Sequence, residues 1–174
     1  TRSGPDHRGR RRAPRRGPVD RSATTDSESD ARMDIEQFMR GYKTAWEHGD
    51  VDMFAALFAP DGEYRNTPFA AQRGHNQLAE YWRRVQLQED VHVSYDVLAS
   101  SATSGIAHWH VTYQVRSEEL FRIWAASTGT NLVARNEGDP LPRMVLDGVL
   151  QARFAGSLCS ECRLWWHSMP QPAA

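Results

Sequence analysis

Residues 38–69 run FMRGYKTAWEHGDVDMFAALFAPDGEYRNTPF. Their signals are, in order, those of a helix, a break, a second helix, a turn and a strand. Apolar side chains recur every three or four positions from Ile35 to Trp46, so they share one face of the first predicted helix. This face is expected to be buried against the rest of the domain.

The break between the two helices is His48-Gly49-Asp50. Glycine supplies the left-handed residue that closes a helix, and an aspartate can cap the helix that follows, here predicted over residues 51–58. Residues 60–62 are Pro-Asp-Gly, a turn signal, and a short strand is predicted at 63–66. The stretch therefore predicts two packed helices that lead into a sheet.

The remaining chain predicts a third helix and four longer strands. The helix covers residues 74–85, with Arg83 and Arg84 facing solvent and an apolar face opposite them. Residues 117–140 are too long for a hairpin loop and contain the helical spacing of Leu120 and Ile123, which predicts a short helix over one end of the sheet. The strands are predicted at residues 91–98, 106–115, 143–154 and 158–167.

The N-terminal part differs from the rest in composition. Residues 1–32 are rich in Arg, Pro and Ser, and such a segment cannot bury enough apolar surface to offset the entropy of ordering, so it is predicted to be disordered. The interpretations are an electrostatic nucleic-acid contact, a targeting signal, or sequence upstream of a start at Met33. From Met33 onward the chain has 12 basic and 17 acidic residues, a net charge of about −5, which argues against a nucleic-acid role for the domain.

The order of elements, together with several short motifs, resembles the nuclear-transport-factor-two-like superfamily. The motifs are Gly49-Asp50-Val51-Asp52, then LFAPDGEY at 57–64, RGHN at 73–76, LDGVLQARF and CRLWWH. This superfamily includes SnoaL-type polyketide cyclases, ketosteroid isomerases and limonene epoxide hydrolases. The resemblance implies an α+β domain over residues 33–170, in which three N-terminal helices pack in a strongly bent, mostly antiparallel sheet. The sheet would form a cone with an internal pocket, and the segment at 117–140 would be an insertion.

The resemblance also implies which residues line that pocket. Tyr42 matches the oxyanion-binding tyrosine of the isomerases, whereas Asn66 stands where their catalytic base would be. Leucines occupy the positions of the other family acids, so the matched carboxylates are missing. The implied hydrogen-bonding candidates are Tyr42 and Asn66, and the implied ligand-binding residues are Tyr81, Trp109, Tyr113, Leu146, Leu150, Leu164 and Trp166.

Two further motifs are candidate sites. His108-x-His110 has a spacing compatible with metal ligation, but the resemblance places Trp109 inside and both histidines on the outer face of the sheet. Cys159 and Cys162 lie three apart in a predicted strand, where alternation would turn them to opposite faces, so they are interpreted as ordinary strand residues. We therefore predict no metal site and no cofactor.

The sequence as a whole predicts a pocket for a small apolar or aromatic molecule. A cyclase-, isomerase- or hydratase-type enzyme is one hypothesis, and a non-catalytic ligand-binding or dimerisation module on the same fold is the other. A homodimer through the outer sheet face is expected from the outward positions of Arg153, Arg163, Trp165 and His167. The chain has no apolar run of membrane-spanning length and is expected to be cytoplasmic.

Overall fold

The computed structural model describes residue 1, residues 32–128 and residues 139–171. The predicted disordered tail lies outside the described residues, apart from its two ends. Residues 129–138 of the predicted insertion lie outside them as well.

The described chain contains four α-helices, one 3₁₀ helix and six strands. The helices are α1 Ile35–His48, α2 Val51–Ala56, α3 Gly74–Trp82 and α4 Glu118–Thr128, with a 3₁₀ helix at Arg83–Leu87 after α3. The strands are β1 Phe58–Thr67, β2 Ala70–Arg73, β3 Gln88–Ser100, β4 Ser104–Val115, β5 Arg143–Ala155 and β6 Leu158–Pro170.

Helix α1 begins and ends where local sequence signals place its caps. Asp34 accepts a 2.7 Å hydrogen bond from the Gln37 amide, and the Gln37 side chain completes the capping box. Gly49 closes the helix with φ of 63°, and Asp50 then caps α2 through a 2.8 Å bond from the Met53 amide. The apolar face of α1 is buried, as its spacing predicts.

The six strands form one curled sheet in the order β2-β1-β6-β5-β4-β3. All neighbouring pairs are antiparallel except β1 and β6, which run parallel. Helix α1 packs against β3 and β4, and α3 packs against β1. The predicted α+β class and the mostly antiparallel meander of the last four strands are thereby confirmed.

The first strand is longer than its turn signal predicts. It starts at Phe58, which pairs with Cys159 of β6, and the register shifts before Glu63. The Pro60-Asp61-Gly62 signal therefore marks an irregularity inside a strand, where pairing with β6 overrides the local turn propensity. Strand β2, which pairs with β1 through a hairpin, was not predicted at all.

The prediction that Cys159 and Cys162 face opposite ways is wrong, because both side chains are buried. The register between β5 and β6 shifts between Arg153 and Phe154, which pair with Glu161 and Cys159 and leave Ser160 unpaired. One extra residue in a strand restores the same facing at positions three apart. Burial raises the pKa of Cys159 to about 12 and that of Cys162 also well above its usual value, so both remain thiols at neutral pH.

Strand β4 has the two faces that its alternation predicts. Ala107, Trp109, Val111, Tyr113 and Val115 are all buried, and the residues between them are partly exposed. Within the ranges described, no helix is long and apolar enough to cross a membrane.

Candidate functional site

A cavity of about 250 Å³ lies between the inner face of the sheet, α3 with its 3₁₀ extension, and α4. The meander presents Trp109, Tyr113 and Leu146 to it, and α4 adds Leu120 and Ile123. Aromatic side chains dominate the wall: Trp46, Tyr64, Tyr81, Trp82, Trp109, Tyr113 and Trp166. Its surface is therefore largely apolar, with a few hydroxyl, amide and indole groups.

Six of the nine residues predicted for the pocket are on this wall, namely Asn66, Tyr81, Trp109, Tyr113, Leu146 and Trp166. The other three, Tyr42, Leu150 and Leu164, are buried in the packed core and do not line the cavity. They share the inner side of the sheet or helix with the lining residues, as predicted, but neighbouring side chains separate them from the open space.

The position of Tyr42 follows from the aromatic rings around it. Its ring contacts those of Trp46, Phe54 and Trp82 at centroid distances of 5.6, 5.9 and 5.3 Å. Its hydroxyl lies 3.1 Å from the Tyr64 hydroxyl, and Tyr64 does line the cavity. The Tyr42 hydroxyl is therefore linked to the cavity wall through Tyr64, and Tyr42 does not line the cavity itself.

A chain of neutral polar groups continues from Tyr64 along the wall. The Tyr64 hydroxyl donates to Oδ1 of Asn66 at 3.5 Å, and the Asn66 side chain also interacts with the Tyr81 hydroxyl. The Trp166 indole donates to the Asn66 carbonyl at 3.0 Å and fixes this end of β1 against β6. These contacts hold the Asn66 amide in place beside the cavity.

The four tyrosines of this region remain protonated well above neutral pH. Burial raises the pKa of Tyr42 and of Tyr64 far above the ordinary value. Burial also raises the pKa of Tyr113. Burial raises the pKa of Tyr81 too, although the nearby Arg84 opposes that rise. Each hydroxyl is thus a neutral donor or acceptor and not a base.

Two lining tryptophans have unpaired donors. The Trp46 indole donates to Oε1 of Gln88 at 2.7 Å, but the buried Nε1 atoms of Trp82 and Trp109 have no hydrogen-bond partner among the residues described. Buried donors without a partner are uncommon in folded proteins. The wall therefore has more hydrogen-bond donors than the described chain satisfies.

Among the described residues, the cavity has ten further lining residues that were not predicted from the sequence: Trp46, Tyr64, Thr67, Ala70, Trp82, Arg84, Val85, Gln88, Leu120 and Ile123. The prediction that Arg84 faces solvent is wrong, since Arg84 lines the cavity and its Cζ lies 3.7 Å from the Tyr81 ring centroid. The α-helix tightens to a 3₁₀ helix at Arg83, and residues three apart then stack above each other. Tyr64 was detectable, because it lies two positions from Asn66 in the same strand.

The histidines of the His108-x-His110 motif lie on the outer face, as predicted. Asp147 of β5 bridges them, with Oδ1 3.0 Å from Nε2 of His108 and Oδ2 3.2 Å from Nδ1 of His110. The hydrogen bond with His108 is the largest cause that lowers the pKa of the Asp147 carboxyl, and the hydrogen bond with His110 lowers it further. The cluster is half-exposed and is not part of the cavity wall.

The family model described as SnoaL-like domain matches residues 36–139 of this chain. A comparison with curated protein sequences finds no match.

Solved structures share the fold at low identity. A protein with a ketosteroid isomerase-like fold from Catenulispora acidiphila, solved with trimethylamine, is 15% identical with a TM-score of 0.54 over 74% of this chain and 84% of its own. SalBIII, an epoxide hydrolase/cyclase-like enzyme of pyran ring formation in salinomycin, is 14% identical with a TM-score of 0.57 over 78% and 95%. An LEH-like epoxide hydrolase from M. tuberculosis is 14% identical with a TM-score of 0.50 over 75% of this chain and 80% of its own.

Proposed function

Because this chain belongs to the SnoaL-like domain family, we propose that its internal cavity binds a small, largely apolar or aromatic molecule. The observation that carries the proposal is the composition of the wall, in which aromatic rings surround a few fixed polar groups. Such walls suit a planar ligand that is held by packing and oriented by one or two hydrogen bonds.

The polar groups support an orienting role. Asn66 is held by Tyr64, Tyr81 and Trp166, and the Tyr113 hydroxyl has no hydrogen-bond partner among the described residues. The unpaired indole donors lie in the same wall. A ligand with a carbonyl, ether or similar acceptor would complement this excess of donors.

Catalysis of cyclase, isomerase or hydratase type is a second candidate, and the fixed Asn66 amide is the observation that favours it. Amide and hydroxyl donors can stabilise an enolate or phenolate oxygen that develops during such a reaction. However, the described part of the wall carries neither a carboxylate nor an imidazole, so a proton would have to be removed by the substrate itself or by water. We therefore favour ligand binding over catalysis as the function of the cavity.

The alternative of a dimerisation module rests on the outer sheet face. Trp165 and Met169 of β6 are 52% and 54% exposed there. We propose that this face pairs two copies of the chain, and that Trp165→Lys gives a monomer in light-scattering measurements. An unchanged molar mass would contradict the pairing and leave the cavity proposal intact.

Native mass spectrometry of freshly purified protein tests the binding proposal. We expect a retained small molecule, or adducts with added aromatic amides, in the unmodified chain. Ile123→Trp should abolish them, because Ile123 is a lining residue of α4 and the larger ring would occupy the cavity. Arg122→Trp is the matched control, since the neighbouring Arg122 is exposed and does not line the cavity. Equal binding by both variants would contradict the proposal.

A further inference from the structure

Arg84 is the one ionised side chain among the described residues that line the cavity. It is half-buried, and its guanidinium lies over the Tyr81 ring with Cζ 3.7 Å from the centroid. Its Nε donates a 2.9 Å hydrogen bond to the Tyr81 carbonyl. These two contacts hold the guanidinium against Tyr81 and leave its two terminal nitrogens for other partners.

No carboxylate among the described residues lies within ion-pair distance of Arg84. Its neighbour Arg83 is paired with Glu80 at 2.6 Å, and Arg143 is paired with Asp90 at 2.7 Å. A cation at the wall of an apolar cavity loses part of its hydration, and the contacts with Tyr81 offset that loss only in part because they supply no counter-charge. Arg84 therefore has the position of a residue that binds an anion, with N–H donors available on its two terminal nitrogens.

We propose that the ligand of this cavity carries a single carboxylate on a flat, apolar body. This inference rests on the proposed function and adds the chemical class of the ligand. A carboxylate presents two oxygens to the two terminal nitrogens of a guanidinium, which is the strong bidentate arrangement. The aromatic and aliphatic wall, including Leu120, Ile123 and Leu146, then contacts the body.

The charge of the wall favours a monoanion over a dianion such as a phosphate monoester. One guanidinium compensates one negative charge, and no second cation is found on the part of the wall that the structure describes. A dianion would keep a net negative charge inside an aromatic cavity, at a high cost in desolvation. The neutral donors of Asn66 and Tyr113 can support further acceptors but supply no charge.

The test uses two pairs of probes that differ only in charge: benzoate with benzamide, and 2-naphthoate with 2-naphthamide. Binding to the full chain is measured by calorimetry at pH 7.5, where both acids are ionised. We expect at least one carboxylate to bind about tenfold or more tightly than its amide, equivalent to about 1.4 kcal/mol. Arg84→Gln should remove this preference, because glutamine is neutral, so that the carboxylate and its amide bind with similar affinity.

Arg83→Gln is the matched control. Arg83 is the adjacent arginine, but it is exposed and does not line the cavity, so the preference for carboxylate should survive. Amide binding by Arg84→Gln shows that this variant is folded.

The outcomes separate the two proposals. If the amides bind and the carboxylates bind no more tightly, or if Arg84→Gln retains the preference, the carboxylate inference is overturned and the binding function stands. If none of the four probes binds to the unmodified chain, the binding function is contradicted and the inference with it.

Discussion

Replacing Trp109 by alanine is expected to lower the free energy of unfolding by about 3–5 kcal/mol, as for other large aromatic-to-alanine changes in protein cores. Trp109 is 1% exposed, and its ring contacts that of Trp46 at a centroid distance of 5.7 Å. The substitution removes this packing and enlarges the cavity, so binding of an aromatic probe should weaken as well. Urea unfolding followed by circular dichroism measures the change in stability.

Trp165→Ala is the control for this substitution. It removes the same side chain from the outer face of β6, where Trp165 is 52% exposed, and it should cost much less. Equal losses of stability in the two variants would show that the faces of the sheet are assigned wrongly.

A second large effect is expected at alkaline pH, because Tyr42 and Tyr64 are fully buried with pKa values raised well above 10. The native state holds both protons after the unfolded chain has released them. The stability that these two tyrosines contribute is therefore fully present below about pH 10, the pKa of tyrosine in the unfolded chain. It is lost as the pH rises through the pKa of the tyrosines in the folded state. In this window each tyrosine lowers the free energy of unfolding by about 1.4 kcal/mol per pH unit.

Tyr42→Phe isolates one of these contributions. The variant loses the hydrogen bond with Tyr64 at every pH, but its stability should fall less steeply above pH 10, by about 1.4 kcal/mol per pH unit. Urea unfolding between pH 8 and 11 measures both slopes, and the buried thiols titrate in both proteins and cancel from the difference. Identical slopes would mean that the Tyr42 hydroxyl ionises freely and is not buried.

Much of the fold could be predicted because its signals are local. The capping box at Asp34, the left-handed Gly49 and the cap at Asp50 set the ends of α1 and α2 through contacts within four residues. The alternation in β4 assigned Trp109 and Tyr113 to the inside, since one face of that strand is apolar. Such features need no knowledge of the neighbouring elements.

The features that were missed depend on contacts between distant residues. The bulge at Ser160, which turns both cysteines inward, arises from pairing with β5 and leaves no mark in the sequence of β6. The cavity position of Arg84 requires the change from α to 3₁₀ geometry after α3. Tyr42 matches a family position, yet three aromatic rings pack against it and separate it from the cavity.

The indole N–H signals of the tryptophans provide the most direct test of the cavity as the ligand site. In ¹H–¹⁵N spectra recorded while 2-naphthoate is added, we expect the signals of the lining residues Trp46, Trp82, Trp109 and Trp166 to shift. The signal of Trp165, on the outer face of the sheet, should stay in place. Assignment by single substitution to phenylalanine identifies each signal. A shift of Trp165 with the lining signals unchanged would contradict the account, because the ligand would then bind outside the cavity.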